Sequence, residues 1–208
     1  MQPIRVPPSA PARLVVLASG TGTLLESLLG AAVGDYPARV IAVGTDRDCP
    51  AVQIARAADL PVFTVRLADF GDRTAWDTAI TDATDAHSPD LVVSAGFMKL
   101  LGPQFLSRFL GRTVNTHPAL SPAFPGAHAV HDALAYGVKV TGCTVHLVDA
   151  GTDTGPILAQ RPVPVFDDDD EATLHERIKV AERQLLVDVL AGLATGGVTW
   201  TGRKATIG

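Results

Sequence analysis

The sequence predicts a single α/β domain. A parallel sheet fills its N-terminal half, and antiparallel strands with a long C-terminal helix complete it. Two patterns predict this. Up to about residue 111, short apolar runs alternate with stretches of helical periodicity, the rhythm of a parallel sheet whose strands are covered on both faces. Beyond that point, residues 141–149 alternate apolar and polar, and a long helical stretch runs from about 171 to 194. A chain of 208 residues with 47% apolar content is long enough for one sizeable core.

Each element follows from its own residues. Residues 13–18 (RLVVLA) are the first strand, and they run at once into Ser19-Gly20-Thr21-Gly22-Thr23. The stretch after that places Leu24, Leu25, Leu28 and Leu29 at helical spacing, so the glycines form a tight turn at a helix N-terminus. Residues 39–44 are the second strand, 51–58 a helix and 61–65 a third, short strand. Residues 72–86 are a helix with Asp72 as N-cap and Arg73 in its first turn. Residues 90–96 are the fourth strand, entering the apolar loop Phe97-Met98-Lys99-Leu100-Leu101. Residues 103–110 form a short helix with proline in its first turn.

The fifth strand, starting at Arg112, carries Asn115 and His117 on one face, since residues i and i+2 of extended chain point the same way. Pro118 stops it. Residues 119–131 are a stiff proline-containing loop, and 131–136 a brief helix ended by Gly137. In the strand 141–149, Cys143, Val145 and Leu147 share one face, and Thr144, His146 and Val148 the other. A turn-rich loop around Asp153 leads to the strand 157–166, which Pro162 and Pro164 assign to a sheet edge. Acidic residues 167–170 favour the N-terminus of the last helix. Its apolar stripe, Leu174, Ile178, Ala181 and Leu185, leaves Glu182 at the margin. Residues 198–201 are a final short strand. Residues 1–11 read as a flexible leader without the apolar core of a signal peptide, and residues 12–208 as the catalytic domain.

Composition excludes several classes. The formal charge of −5 provides no basic field for nucleic acid or an acidic membrane. No apolar run is long enough to span a bilayer. Cys49 and Cys143 show neither disulfide nor zinc spacing, which fits a cytoplasmic protein with reduced thiols and no metal site. The glycine turn is a phosphate site by virtue of its converging N–H groups and helix dipole. It is neither GxGxxG, since position 25 is leucine, nor a nucleotide P-loop, which needs GK[ST]. Asp46, after the second strand, keeps a dinucleotide-binding module open as an alternative of a different class.

SGTGT after the first strand, NTHP after the fifth and DTGP in the late turn, with AGFMKLL and SPAFPGAH, resemble the phosphoribosylglycinamide formyltransferases of purine synthesis over roughly residues 12–200. The resemblance implies the formyltransferase fold. It implies transfer of the formyl group of 10-formyltetrahydrofolate, a co-substrate, to the amine of 5'-phosphoribosylglycinamide, with no metal required. It implies Asn115, His117 and Asp153 as the catalytic set. Gly22, Thr23 and Leu24 would hold the substrate phosphate, and Glu182 the amino end of the ribonucleotide. Arg73, Met98, Lys99, Leu100, Leu101 and Asn115 would line the folate site, together with the loop 150–153. A homodimer is compatible with the sequence, which does not set the oligomeric state. Leu24 stands where the family often has Asn, and Ala119 where it often has Ser.

The residue types suit that chemistry. When an amine attacks a formyl carbon, an oxyanion develops; the Asn115 amide and a protonated His117 can donate to it, with Asp153 holding the imidazolium or ordering a proton-carrying water. A sugar-nucleotide or tRNA formyltransferase and a formyl-folate hydrolase use related motifs. A tRNA enzyme would be longer, with a basic C-terminal domain. The hydrolase would carry an N-terminal regulatory domain, for which 11 residues leave no room.

Overall fold

A computed structural model describes residues 11–208. The leader expected over 1–11 therefore lies, apart from Pro11, outside the described residues. The chain runs β1 (Ala12–Ala18), α1 (Thr23–Ala31), β2 (Ala38–Thr45), α2 (Pro50–Ala57), β3 (Val62–Thr64), α3 (Arg73–Asp85), β4 (Leu91–Ser94), α4 (Pro103–Arg108) and β5 (Thr113–His117). It continues through α5 (Ala129–Tyr136), β6 (Val140–Leu147), β7 (Ile157–Pro164), α6 (Glu171–Gly196), β8 (Val198–Thr201) and β9 (Lys204–Ile207). One sheet orders the strands β3-β2-β1-β4-β5-β6-β7-β9-β8. The first five are parallel, and β6 turns antiparallel against β5 and β7.

Strand alternation divides the core in two. On β1, Leu14, Val16 and Ala18 pack with α1, α2 and α6, while Val15 and Leu17 pack with Trp76 and Ile80 of α3 and Phe105 of α4. Each fully buried large apolar side chain contributes roughly 1.5–3 kcal/mol of transfer free energy. Trp76, wholly buried, also donates its indole N–H to the Val65 carbonyl at 2.9 Å, so its polar edge is satisfied inside the apolar layer.

Strand order reverses between β1 and β4. The chain leaves β1 toward β2 and β3, then returns to the other side of β1. The loops after β1 and β4 diverge at that point, which opens a crevice at the carboxyl ends of the strands. The turn after β1 needs glycine: Gly22 caps α1 at φ +78°, and a Cβ there would lie 2.8 Å from the Ile54 Cδ1 atom and 2.9 Å from the Ala51 Cα atom.

The structure corrects three expectations. β7 is not the edge strand, because the β8–β9 hairpin lies beyond it. That hairpin pairs with β7 only at Ile157–Lys204, so Pro162 and Pro164 still have no ladder partner on that side. β9 was not anticipated from the sequence; its four residues pair with β8 across a turn at Gly202. Glu182 is not marginal: it is 6% exposed, on the inner face of α6. The acidic run does cap α6, where Asp170 and Thr173 form a reciprocal capping box. Among the described residues no helix is long and apolar enough to cross a membrane.

Candidate active site

The crevice is a cleft of about 450 Å³. The turn Gly20–Leu24 lines one side and Phe97, Met98, Lys99, Leu100 and Leu101 another, with Asn115 and His117 from β5, His146 from β6 and residues 148–153 from the late turn. His175, Lys179 and Glu182 reach it from α6, one helical stripe at i, i+4 and i+7.

Register builds the centre. Asn115 pairs with Ser94 on its parallel side and with His146 on its antiparallel side, so the amide and the second imidazole lie directly across one strand pair. Asn115 Nδ2 is 3.2 Å from His146 Nε2 and 3.5 Å from Asp153 Oδ1. His146 Nδ1 donates to the Leu147 carbonyl at 2.9 Å, so its Nε2 is turned toward the Asn115 amide and toward Asp153 Oδ1, which lies 3.6 Å away. The amide is thereby oriented before any ligand arrives. His117, 3% exposed, donates from Nε2 to the Phe124 carbonyl at 2.8 Å, and its Nδ1 lies 3.4 Å from Asp153 Oδ2. Both ring nitrogens face acceptor oxygens.

Asp153 ties this centre to the late turn. Its backbone is left-handed, at φ 54°, a conformation that aspartate tolerates better than bulkier residues. Its Oδ2 accepts the Gly126 N–H at 2.8 Å, so the proline loop and the late turn meet on one carboxylate. Burial pushes this carboxyl up, but His146, the Gly126 N–H and His117 outweigh burial and hold it below the usual carboxylate range. Glu182 behaves oppositely. Burial raises it above the usual glutamate range, against a hydrogen bond from Thr116 and the charges of Lys179 and Arg183.

Of the residues singled out in the sequence, Asn115, His117 and Asp153 come together, and Gly22, Thr23, Leu24, Glu182, Met98, Lys99, Leu100 and Leu101 line the same cleft. Arg73 does not line it. Its guanidinium donates to the Leu100 carbonyl and covers the Trp76 ring at 4.6 Å, so it meets the apolar loop from behind. Ala119 is fully buried and its carbonyl accepts from Thr144, away from the cleft, so the family's serine hydroxyl is not missing from the cleft wall. Asp46 is paired with Arg47 at 2.8 Å and Lys99 at 3.7 Å, which commits the carboxylate a dinucleotide ribose would need. His146 was placed beside the site together with Thr144 but given no role, and His175 and Lys179 were passed over. The helical spacing of the last two with Glu182 was the signal that could have found them.

The fold and this centre together define a one-carbon transferase, and the chain belongs to the formyl transferase family, whose model matches residues 12–190. The chain is 77% identical over 207 residues to the phosphoribosylglycinamide formyltransferase of Mycobacterium tuberculosis, covering 100% of this chain and 96% of the relative. A glycinamide ribonucleotide transformylase structure from Symbiobacterium toebii superposes with a TM-score of 0.91 at 40% identity, over 94% of this chain and 93% of that one. The human trifunctional purine biosynthetic protein adenosine-3 is 36% identical over 189 residues, 90% of this chain but 19% of that much longer protein. The resemblance and the fold read from the sequence are borne out.

Proposed function

We propose that this chain transfers the formyl group of 10-formyltetrahydrofolate to the primary amine of 5'-phosphoribosylglycinamide, giving formylglycinamide ribonucleotide and tetrahydrofolate. The observation that carries this reading is the convergence of Asn115, His117 and Asp153 within 3.5 Å contacts, in a cleft shared by a glycine turn and an apolar loop.

Each part has a task. The N–H groups of Gly22, Thr23 and Leu24 at the start of α1 take the phosphate, which needs no side chain at position 24. Glu182 receives the amino end of the ribonucleotide. The apolar loop walls the flat ring of the folate, with Arg73 supporting that wall. The formyl oxygen lies against the Asn115 amide. As the amine attacks, charge grows on that oxygen, and each donor aimed at it is worth about 3–4 kcal/mol of barrier. His117 Nε2–H is held by Phe124, so Nδ1–H, at 3.4 Å a weak contact to Asp153, is the ring donor able to turn to the oxyanion. Asp153 balances the imidazolium and orders a water that takes the proton from the attacking amine and delivers a proton to N10 as the C–N10 bond breaks. Cys49 and Cys143 are free thiols, in keeping with a reducing cytoplasmic setting.

The test is a steady-state assay with the ribonucleotide and 10-formyl-5,8-dideazafolate, following the deformylated folate by absorbance. Release that requires the ribonucleotide supports the reading. Release without it indicates a hydrolase and overturns it.

A further inference from the structure

The segment 96–102 joins β4 to α4 and pairs with no strand of the sheet. Met98 and Leu100 on it are 67% and 62% exposed. Phe97 and Leu101 pack into the core beside Trp76, but the backbone between them forms no helix or strand and is expected to sample several arrangements unless it is held. Here side chains from other parts of the fold hold it from behind. Ser19 Oγ accepts the Met98 N–H at 2.9 Å, and Arg73 donates to the Leu100 carbonyl. Two carboxylates add further attachments, the one at Asp77 by short hydrogen bonds and the one at Asp46 by a looser ion pair. Asp46, after β2, has a side chain only 1% exposed and draws the Lys99 ammonium to 3.7 Å. Asp77, on α3 and 3% exposed, accepts the Gly102 N–H at 2.9 Å and the Gln104 N–H at 2.8 Å.

The fit at Asp77 is specific. A Cβ on Gly102 would run into the Asp77 carboxylate, so only glycine lets the carboxylate close on that N–H. The helix α4 it precedes has no side-chain cap of its own, so Asp77 supplies from a neighbouring helix what the local sequence lacks. Neither Asp46 nor Asp77 lines the cleft. Asp77 reaches it only through the segment it holds, while Asp46 also accepts from the Ser19 hydroxyl, whose oxygen in turn accepts the Met98 N–H.

We propose that Asp46 and Asp77 are positioning residues: two buried carboxylates that grip residues 96–102 at Lys99 and at Gly102, and so set the affinity for the folate donor without touching it. The proposal rests on the reading of this segment as the donor wall. A wall already ordered in the free protein spares the donor the entropy of ordering it. When the ordered arrangement is populated only in part, apparent donor affinity falls by that fraction, while the chemistry of bound reactants is unchanged.

The test is steady-state kinetics on the full chain, with ribonucleotide and 10-formyl-5,8-dideazafolate varied separately. Asp77→Ala is expected to raise the donor KM about five- to tenfold, and Asp46→Asn about threefold, as the ordered fraction drops. In each, kcat at saturation and the ribonucleotide KM stay within about twofold, as expected of a loss confined to donor binding. Gly102→Ala should copy Asp77→Ala, since its methyl group displaces the carboxylate that the other variant removes. Combining the two should add little, because they break one shared contact. Asp77→Asn, which keeps one acceptor oxygen, should fall between Asp77→Ala and the parent chain, and it carries the test if Asp77→Ala fails to fold.

A purely structural role would lower kcat through a smaller active fraction and leave both KM values alone; that result overturns the proposal, as does an equal rise in both KM values. Met98→Ala separates the two ideas. If it raises the donor KM while the carboxylate variants do not, the grip is wrong and the wall stands. If none of them moves the donor KM, the reading of the wall itself fails.

Discussion

Two carboxylates from different elements line the same cleft and are shifted in opposite directions. Asp153, on the late turn, meets a backbone N–H and two imidazoles, and is driven below the usual carboxylate range. Glu182, on α6, is more deeply buried, and its hydrogen bond from Thr116 and the nearby Lys179 and Arg183 do not offset the loss of water, so it is driven up. The difference teaches that the catalytic side is complete without ligand, whereas the α6 side is not. Asp153 has its partners built in. Glu182 lacks a sufficient cation of its own, and in the proposed function the amino end of the ribonucleotide is the partner it receives.

The largest effect should come from breaking the completed side. Asp153→Asn is expected to cut kcat about a thousandfold at neutral pH, because it removes the counter-charge of His117, while far-UV circular dichroism stays native. Asn115→Ala should cost about a hundredfold or more in kcat with little change in either KM, read by the same assay, as the loss of one oxyanion donor. On the α6 side, Glu182→Gln should raise the ribonucleotide KM about tenfold, a loss of binding read in steady-state kinetics. The same change should stabilise the free protein by about 1 kcal/mol at pH 8, or about 2–4 °C in Tm by calorimetry, since it removes an under-compensated buried charge. Thr116→Val is the smallest probe. Without its hydroxyl, Glu182 should move further up and the ribonucleotide KM should rise about twofold.

The pH dependence of stability sharpens the contrast. The depressed Asp153 lends stability in full above its unfolded value near 3.8, and that stability is lost as pH falls through the lower folded value. Glu182 has the opposite sign. Its folded form binds the proton more tightly than the unfolded chain, so its cost is full above the raised folded value and is relieved as pH falls from there toward 4.5. Thermal melts of Glu182→Gln and the parent chain should therefore converge as pH is lowered toward 4.5. Curves that stay parallel would mean that Glu182 is not the group responsible.

Much of this was legible in the residues. The parallel half could be read because each buried strand is a compact apolar run, and the face shared by Asn115 and His117 followed from strand geometry alone. What escaped depends on contacts between segments far apart in the chain. Glu182 looked marginal on a helical wheel because its burial comes from packing α6 on β6 and β7, and its partner Thr116 lies sixty-six positions away by number. Asp77 looked like an ordinary helix residue, since its partners are the backbone N–H groups of Gly102 and Gln104 and no side-chain pattern announces them. β9 is a short strand with alternating exposure and no apolar run, so only its pairing with β8 reveals it. His146 gave no spacing signal, because its role arises from strand register.

The surroundings of Trp76 have a practical consequence. Its ring lies under the Arg73 guanidinium and stacks on Phe97 at 6.4 Å, and that same guanidinium holds Leu100 in the cleft wall. A cation close to an indole face shifts its emission, so a ligand that draws Arg73 off Leu100 will change the fluorescence of this buried chromophore. The other tryptophan, Trp200, sits on β8 at the opposite edge of the sheet and supplies a steady background. Trp76 is thus placed to report, without a label, any displacement of Arg73 from Leu100.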